Sequence, residues 1–510
     1  MTESPTSTAS TTSTAGLGDR TRTLLRNALE AYGDSPRAAG WLRHHLDRLD
    51  EPLRLAIAGK VKAGKSTLLN ALVGEEIAAT DAGECTRVVT WYQDGPSPRI
   101  LLHPMQGPPR QLRTRRSERG GLVVDLDGAD PATVDRLTVD WPSSGLRSTS
   151  LIDTPGIAST SVDTSARASR FLSSDEAPSE ADAVLYLMRH LHSADARFLE
   201  SFHDRHVARA TPVSTIAVLS RADEIGAGRL DALSSARRIA GRYRTDEKIA
   251  ALCQTVVAVA GLVALAGRTM RQDEYLALRA LAALPPEVTD ALLLSADRFV
   301  TPPDSLVDRL GTGVPESATR RLLLTRLGVY GIRTAIAALR DHAPDAARLS
   351  AELVAASGLD DLREVLATQF GERRELLKAR SALLAVELVV QREPRPAGAR
   401  LATEVERLVA SAHEFAELRL LAALRSRSVP LPAEAREEAE RLVGGNGSRL
   451  PARLGLPDDV DAATRRQVVV EALGRWRRRA ANPVSDRATV DACAVVVRSC
   501  EGMLATIAAT

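Results

Sequence analysis

The chain has 510 residues, 44% hydrophobic and 26% charged, so it can bury large cores, is no disordered tail, and suggests two or three domains. Its 67 basic and 65 acidic side chains leave a formal charge of +2, too balanced for a surface devoted to nucleic acid, and 3% aromatics give little to stack bases on. Only five of the cations are lysines (60, 62, 65, 248 and 378), and three of these fall within one hexapeptide.

Residues 1–16 are rich in Ser and Thr, with almost nothing to bury, and read as a disordered tail. They show no charged, apolar, cleavable leader, so a cytoplasmic location is the default expectation. The spacing of Leu24, Ala28 and Tyr32 predicts a helix over 17–32, and a second is expected from Arg37 to Leu49. From Leu53 the pattern becomes α/β. Apolar runs at 53–59, 149–156, 183–188 and 214–220 each lead into turn residues and then helix-like stretches, which predicts a mainly parallel sheet with helices on both faces.

Strand signals vanish beyond about residue 345. Leu401, Val405, Leu408, Ala412 and Phe415 recur at helical spacing. So do Val490, Cys493, Val497, Cys500, Leu504 and Ile507, and so do Leu359, Leu362, Leu366, Phe370, Leu377 and Leu384. Such stripes need partner helices and predict an elongated all-α bundle stalk. The division expected is a tail over 1–16, helices over 17–50 packing with the stalk, an α/β domain over 51–345 and a bundle over 346–510, with that last boundary free to move by tens of residues. The stretch from Gly358 fits either side of it. The four cysteines (85, 253, 493 and 500) have no metal-ligand spacing, and Cys493 and Cys500 occupy seam positions expected to be core.

Gly59-Lys60-Val61-Lys62-Ala63-Gly64-Lys65-Ser66 matches GxxxxGK[ST], follows a predicted strand and opens a helix. Its backbone N–H groups, including that of Ala63, would converge on phosphate oxygens. Lys65 would reach the β- and γ-phosphates, Ser66 would offer its hydroxyl to Mg2+, and Thr67 extends the same cradle. Asp153-Thr154-Pro155-Gly156 ends the next strong strand, where Asp153 can hold Mg2+ through water and the Gly156 amide can sense a γ-phosphate. Ser220-Arg221-Ala222-Asp223 stands where GTPases place their guanine-reading [NT]KxD motif. Asp223 could accept guanine N1 and N2 hydrogens, Arg221 would lie over the base in place of the usual Lys, and Ser220 replaces Asn or Thr. Thr86, in the loop 80–87, is the candidate switch hydroxyl that completes the Mg2+ sphere while a γ-phosphate is present, with Thr80 and Thr90 as competitors.

The uncharged stretch 249–267 nearly reaches membrane-span length. Its Gln254, Thr255, two glycines and six alanines favour instead a last central strand that delivers the Ala260 amide to guanine O6. Two arginine clusters, at 110–119 and 475–479, read as solvated faces with an alternative use against anionic lipid.

Together the phosphate loop, the ECTR switch, DTPG and SRADEIG resemble bacterial dynamin-like GTPases, and in particular the isoniazid-inducible dynamin-like proteins of actinobacteria. Lys65 and Asp153 are 88 positions apart, a separation that fits a dynamin-sized domain better than a small switch GTPase. The resemblance implies a large GTPase that binds GTP and GDP, assembles through its nucleotide face with itself or a second dynamin-like protein, and touches anionic membrane peripherally at the inner face of the plasma membrane. Lys62 departs from eukaryotic dynamins, which carry Ser there to position a monovalent cation. Its ammonium could supply that positive charge covalently, and the competing reading has it pointing to solvent or across an assembly face. Two other functions share the nucleotide motifs: a GTP-binding regulatory partner with weak hydrolysis, and a translation- or RNA-linked switch. The second would need an RNA-reading appendage, and none is evident after residue 345. An ABC-type ATPase is excluded, because it has no place for DTPG or Asp223.

Overall fold

A computed structural model describes residues 16–79, 88–117, 120–155, 180–189, 214–250, 252–310, 313–341 and 345–509. Helix α1 (Leu17–Tyr32) buries Leu24, Leu25, Ala28 and Tyr32 along one stripe. Helix α2 (Pro36–Arg48) starts on Ser35, whose hydroxyl accepts the Ala38 amide at 3.3 Å, with Pro36 in the first turn, where a missing N–H leaves no bond unmade.

The α/β part follows as β1 (Leu53–Gly59), α3 (Lys65–Val73), β2 (Val89–Asp94), β3 (Arg99–Pro104), β4 (Arg110–Leu112), β5 (Arg115–Arg116), β6 (Leu122–Val123), β7 (Val134–Trp141), β8 (Thr149–Asp153), β9 (Ala183–Met188), β10 (Thr215–Ser220), α4 (Ala232–Thr245), β11 (Val256–Val259) and α5 (Gly261–Arg268). Nine of the strands form one sheet in the order β11-β10-β9-β1-β8-β2-β7-β3-β4, and β5–β6 is a separate hairpin. The five central and left-hand strands, from β11 to β8, are all parallel, whereas β2–β8, β3–β7 and β3–β4 are antiparallel. The sheet is therefore mainly parallel around its centre, as its pattern predicts. In β1 alternate residues face opposite cores: Leu53, Leu55 and Ile57 join one cluster, Ala56 and Ala58 the other. The stretch 249–267 starts in the end of a short helix (Glu247–Ala250), continues into β11 and α5, and does not form one long helix.

Helices continue with α6 (Ser317–Asp341), α7 (Ala346–Ala355) and α8 (Leu359–Leu366), then a π turn (Ala367–Gly371) and α9 (Arg374–Arg392). Among the described residues α6 alone has the length and apolarity of a membrane span, yet Leu323, Leu327, Ile332 and Ile336 pack into the sheet-side core and Gly328 breaks its path. α8 lies against β11 and α3, so the stretch from Gly358 begins on the sheet. α9 packs on α1 and α2. One apolar cluster runs unbroken from the sheet face through Leu25, Tyr32 and Leu42 to Leu377, Leu383 and Leu401.

The longer helices that follow are α10 (Pro396–Ser411), α11 (His413–Arg425), α12 (Ala433–Leu442), α13 (Ala462–Ala480) and α14 (Arg487–Ala509). Leu401, Val405, Leu408, Ala412 and Phe415 are all buried. On α14, Cys493, Cys500 and Ile507 are buried as expected; Val497 and Leu504 are half-buried against the same cluster, and their neighbours Val496 and Met503 are buried more deeply. Of the arginines flanking the buried Trp476, Arg475 pairs with Glu438 at 2.6 Å, Arg477 with Glu501 at 2.7 Å, and Arg479 stacks over the Trp476 ring. These side chains tie α12, α13 and α14 together.

A polar joint sits at the lower end of the sheet. Asp182, just before β9, accepts Arg48 Nη2 at 2.5 Å, the Arg54 amide at 3.0 Å and Ser381 Oγ of α9 at 3.1 Å. Lys378 of α9 donates to the Arg48, Leu49 and Glu51 carbonyls, capping the C-terminal end of α2. Burial pushes its ammonium down to about 8.

Candidate nucleotide site

Registers across the sheet pair Ile57 with Asp153, Gly59 with Leu187, Leu219 with Met188 and Ser220 with Val259. The motifs are thereby brought to one edge, at the carboxyl ends of parallel strands, where open α/β sheets bind ligands. Gly59 has φ +146°, and a Cβ there would meet the Leu187 carbonyl oxygen at 2.5 Å, so only glycine fits the close approach of β1 and β9. Gly64, at φ +92°, turns the loop into α3.

Lys65 Nζ folds back over the loop, donating to the Gly59 and Lys60 carbonyls at 3.2 and 3.4 Å. Burial lowers its pKa, and the Asp153 carboxylate offsets part of that. Ser66 Oγ donates to Asp153 Oδ2 at 2.7 Å. Asp153 Oδ1 is buried with no hydrogen-bond partner among the described residues, and burial raises this carboxyl against the pull of Lys65 and Ser66. A hydroxyl and a desolvated carboxylate with a spare lone pair form an oxygen donor set that suits Mg2+. Thr67, half-buried, faces Gly261 at the start of α5. Thr154 was not anticipated as a site residue. Its hydroxyl and amide both donate to the Ile57 carbonyl, at 2.9 and 3.3 Å, pinning the DTPG turn onto β1, and the only signal in the sequence was its place between Asp and Pro.

On the base side, Ser220 Oγ donates to the Met188 carbonyl at 3.2 Å and so fastens β10 to β9. Arg221 takes a left-handed backbone (φ +54°), donates Nε to the Lys62 carbonyl at 3.1 Å and pairs with Glu224. Its guanidinium thus bridges the base loop to the phosphate loop. Lys62 is itself left-handed at φ +63°, with its side chain exposed to solvent. Asp223 is buried, which raises its carboxyl, with its own amide, Arg221 and Arg189 opposing. Two N–H donors from a base would satisfy it. Gly328 of α6 lies over it: at φ +65° and ψ 177° it is a conformation reserved for glycine, and a Cβ there would stand 3.6 Å from Asp223 Oδ2.

One assignment is corrected. The Ala260 amide donates to the Ser357 carbonyl at 2.8 Å, so it is not free for guanine O6, and the unused amides at this corner belong to the first turn of α5. Thr86, Thr80 and Gly156 lie outside the described residues, and Thr90 is buried in β2 with its hydroxyl on the Val88 carbonyl.

Fold and site together define a P-loop GTPase. The dynamin family profile matches residues 55–222. Over 498 residues the chain is 41% identical to the isoniazid-induced protein IniC of Mycobacterium tuberculosis, covering 96% of this chain and 99% of that one. Over 118 residues it is 33% identical to a bacterial dynamin-like protein of Nostoc punctiforme, covering 21% and 17% of the two chains. Solved chains of an oligomerised bacterial dynamin pair, described as sensing and tethering membranes, align over 96% of this chain and 73% of theirs at 14% identity and a TM-score of 0.34. The chain belongs to the dynamin family, as a bacterial dynamin-like GTPase akin to the mycobacterial isoniazid-induced proteins.

Proposed function

We propose that this GTPase binds GTP together with Mg2+ and hydrolyses it, and couples the cycle to assembly and to remodelling or repair of a membrane. The observation that carries the nucleotide half is Asp153, with one oxygen held by Ser66 and the other buried and unpartnered beside Lys65. In this reading Lys65 places its charge on the β/γ oxygens, and Ser66 and Asp153 hold the metal, Asp153 through water. Mg2+ bound there would neutralise negative charge gathering on the phosphates. Thr86 would complete the metal sphere and Gly156 would sense the γ-phosphate, making their loops the switch. Asp223 would choose guanine, with Arg221 closing the base loop onto the phosphate loop.

Assembly with a second copy or a second dynamin-like chain, and a peripheral place at the inner face of the plasma membrane, are supported by family membership. Two experiments separate the halves. Asp223→Asn should lose GTP affinity about tenfold to a hundredfold and gain xanthosine triphosphate, whose ring offers an acceptor where guanine has an amine. Equal affinity of the parent for ATP and GTP would refute the guanine assignment. Flotation with anionic vesicles should depend on a non-hydrolysable GTP analogue, and its absence would remove the membrane half while leaving the GTPase standing.

A further inference from the structure

A cavity of about 750 Å³ opens where the free edge of the sheet meets the helical half. One wall is β11 with α4, and the other is α8, the π turn and the α11–α12 pair. Five guanidiniums line it, from Arg237, Arg244, Arg425, Arg427 and Arg436, against four carboxylates from Asp361, Glu364, Glu437 and Glu440. Arg237 is closed on Asp361 by two bonds of 2.8 and 3.1 Å.

Arg425 is held loosely. Its side chain is 14% exposed, its Nε stands 3.9 Å from Glu440 Oε2, beyond hydrogen-bond reach, and its Nη2 reaches the Gly445 carbonyl only at 3.4 Å. That carbonyl already accepts Gln369 Nε2 at 3.0 Å. Burial lowers the Arg425 pKa and raises that of Glu440, and the charge of each opposes the shift of the other. Arg436 uses Nη2 on the Leu431 carbonyl at 3.0 Å, while its Nε is buried with no acceptor among the described residues. A phosphate would supply acceptors to both forks, which match its geometry.

The rest of the lining narrows the ligand. It contains no aromatic side chain, so nothing stacks a base, but it does contain Thr245, Thr255, Thr368, Asn446 and two carboxylates, Glu364 and Glu437, that form no ion pair among the described residues. Such groups accept and donate to hydroxyls. The volume lies within the range of about 300–1,000 Å³ usual for small-molecule sites. We propose that this cavity is a second ligand site, taking a phosphorylated, hydroxyl-rich small molecule of the sugar-phosphate class, its phosphate on Arg425 and Arg436 and its hydroxyls on the carboxylates and threonines. The site is separate from the nucleotide edge, and the proposal stands independently of the membrane reading.

The test is calorimetric titration of the full chain, saturated with GDP and Mg2+ so that the phosphate loop is occupied, with glucose 6-phosphate as probe. Glucose and inorganic phosphate are the fragment controls. One equivalent should bind, more tightly than either fragment. Arg425→Met and Arg436→Met should each weaken it by about tenfold or more, the loss of a charge-assisted hydrogen bond. Ala433→Trp, an exposed position at the rim, should block entry without touching either core and keeps the test decisive if an arginine variant fails to fold. Vesicles carrying phosphatidylinositol form a second arm: binding there alone, lost in Arg425→Met, would assign the same chemistry to a lipid headgroup. No binding in either arm, binding seen only when GDP is left out, or equal binding by all three variants would overturn the proposal.

Discussion

Asp182→Asn is the sharpest test of how the two halves are held. The carboxylate side chain is 1% exposed and accepts Arg48, the Arg54 amide and Ser381 together. An amide of nearly equal volume keeps one acceptor but turns an NH2 toward donors and takes the Asp182 charge away from the Arg48 guanidinium, itself 3% exposed. Breaking a buried ion pair from one side costs about 3–5 kcal/mol, a large part of the roughly 5–15 kcal/mol that holds a typical domain. Ser381→Ala, which removes one neutral donor, should cost about 1 kcal/mol. Urea unfolding measures both, in backgrounds that keep one of the four tryptophans at a time: Trp91, 4.7 Å under the Arg54 guanidinium on the sheet side, or Trp476, fully buried in the distal helices. The midpoint seen through Trp91 should fall at a nearly constant slope, and that seen through Trp476 should separate from it as the joint weakens. A loss below about 1 kcal/mol for Asp182→Asn would show that water reaches the joint, and would refute the energetic reading of it.

The other predictions are as follows. His45 Nδ1 donates to the Trp41 carbonyl and Nε2 accepts from Arg48, and burial pushes its pKa from 6.5 down to about 3. The unfolded chain therefore takes up this proton below pH 6.5 while the folded chain does not. Stability should be full above that pH and fall, as pH drops toward about 3, by up to about 1.4 kcal/mol per unit. Glu180 resists the upward push of burial through His44, Arg48 and Arg54 and sits at about 2, which should steepen the loss below its ordinary 4.5. A urea midpoint that stays flat from neutrality to pH 4.5, or an unchanged slope in His45→Gln, would contradict this. Gly328→Ala should cost about 1–3 kcal/mol in melting experiments and weaken GTP binding through Asp223, whereas Gly502→Ala, with open space around its Cβ, should stabilise by up to about 1 kcal/mol. Lys62→Ser should slow hydrolysis far more than it weakens GTP binding, with partial rescue by K+. A parent enzyme strongly dependent on K+ would refute that role.

Much of the α/β half was legible because its strands are buried on both faces and read as unbroken apolar runs: 183–188 is all buried, and its predicted limits are those of β9. The phosphate loop and Asp153 were legible for a local reason, since their chemistry is carried by consecutive residues. What failed was non-local. The Ala260 amide was given to the base because nothing near it in the chain reveals that Ser357, almost a hundred residues on, supplies its acceptor. The expected place of Arg221 over a base is untouched by this, but its bond to the Lys62 carbonyl was not legible, because it depends on a left-handed backbone that no pattern announces. Asp182 passed unnoticed as an ordinary polar residue ahead of a strand, because its partners come from three separate segments. On α14 the predicted stripe holds at Cys493, Cys500 and Ile507, while the deepest burial between them falls one residue earlier, at Val496 and Met503: periodicity fixes the stripe's spacing, and the neighbours fix where around the helix burial is deepest.

The placement of the lysines makes amine chemistry an almost site-directed tool for this protein. Lys378 is buried under α2 and Lys65 is folded into its loop, which leaves Lys62 and Lys248 as the exposed side-chain amines, with Lys60 half-covered. The 62 arginines do not react with acylating reagents, so a sparingly added fluorescent ester would tag the crown of the phosphate loop and one distant reference position. The ratio of label at Lys62 to label at Lys248 then becomes a readout of whatever covers that crown, be it nucleotide or a neighbouring chain, without any engineered cysteine or tag.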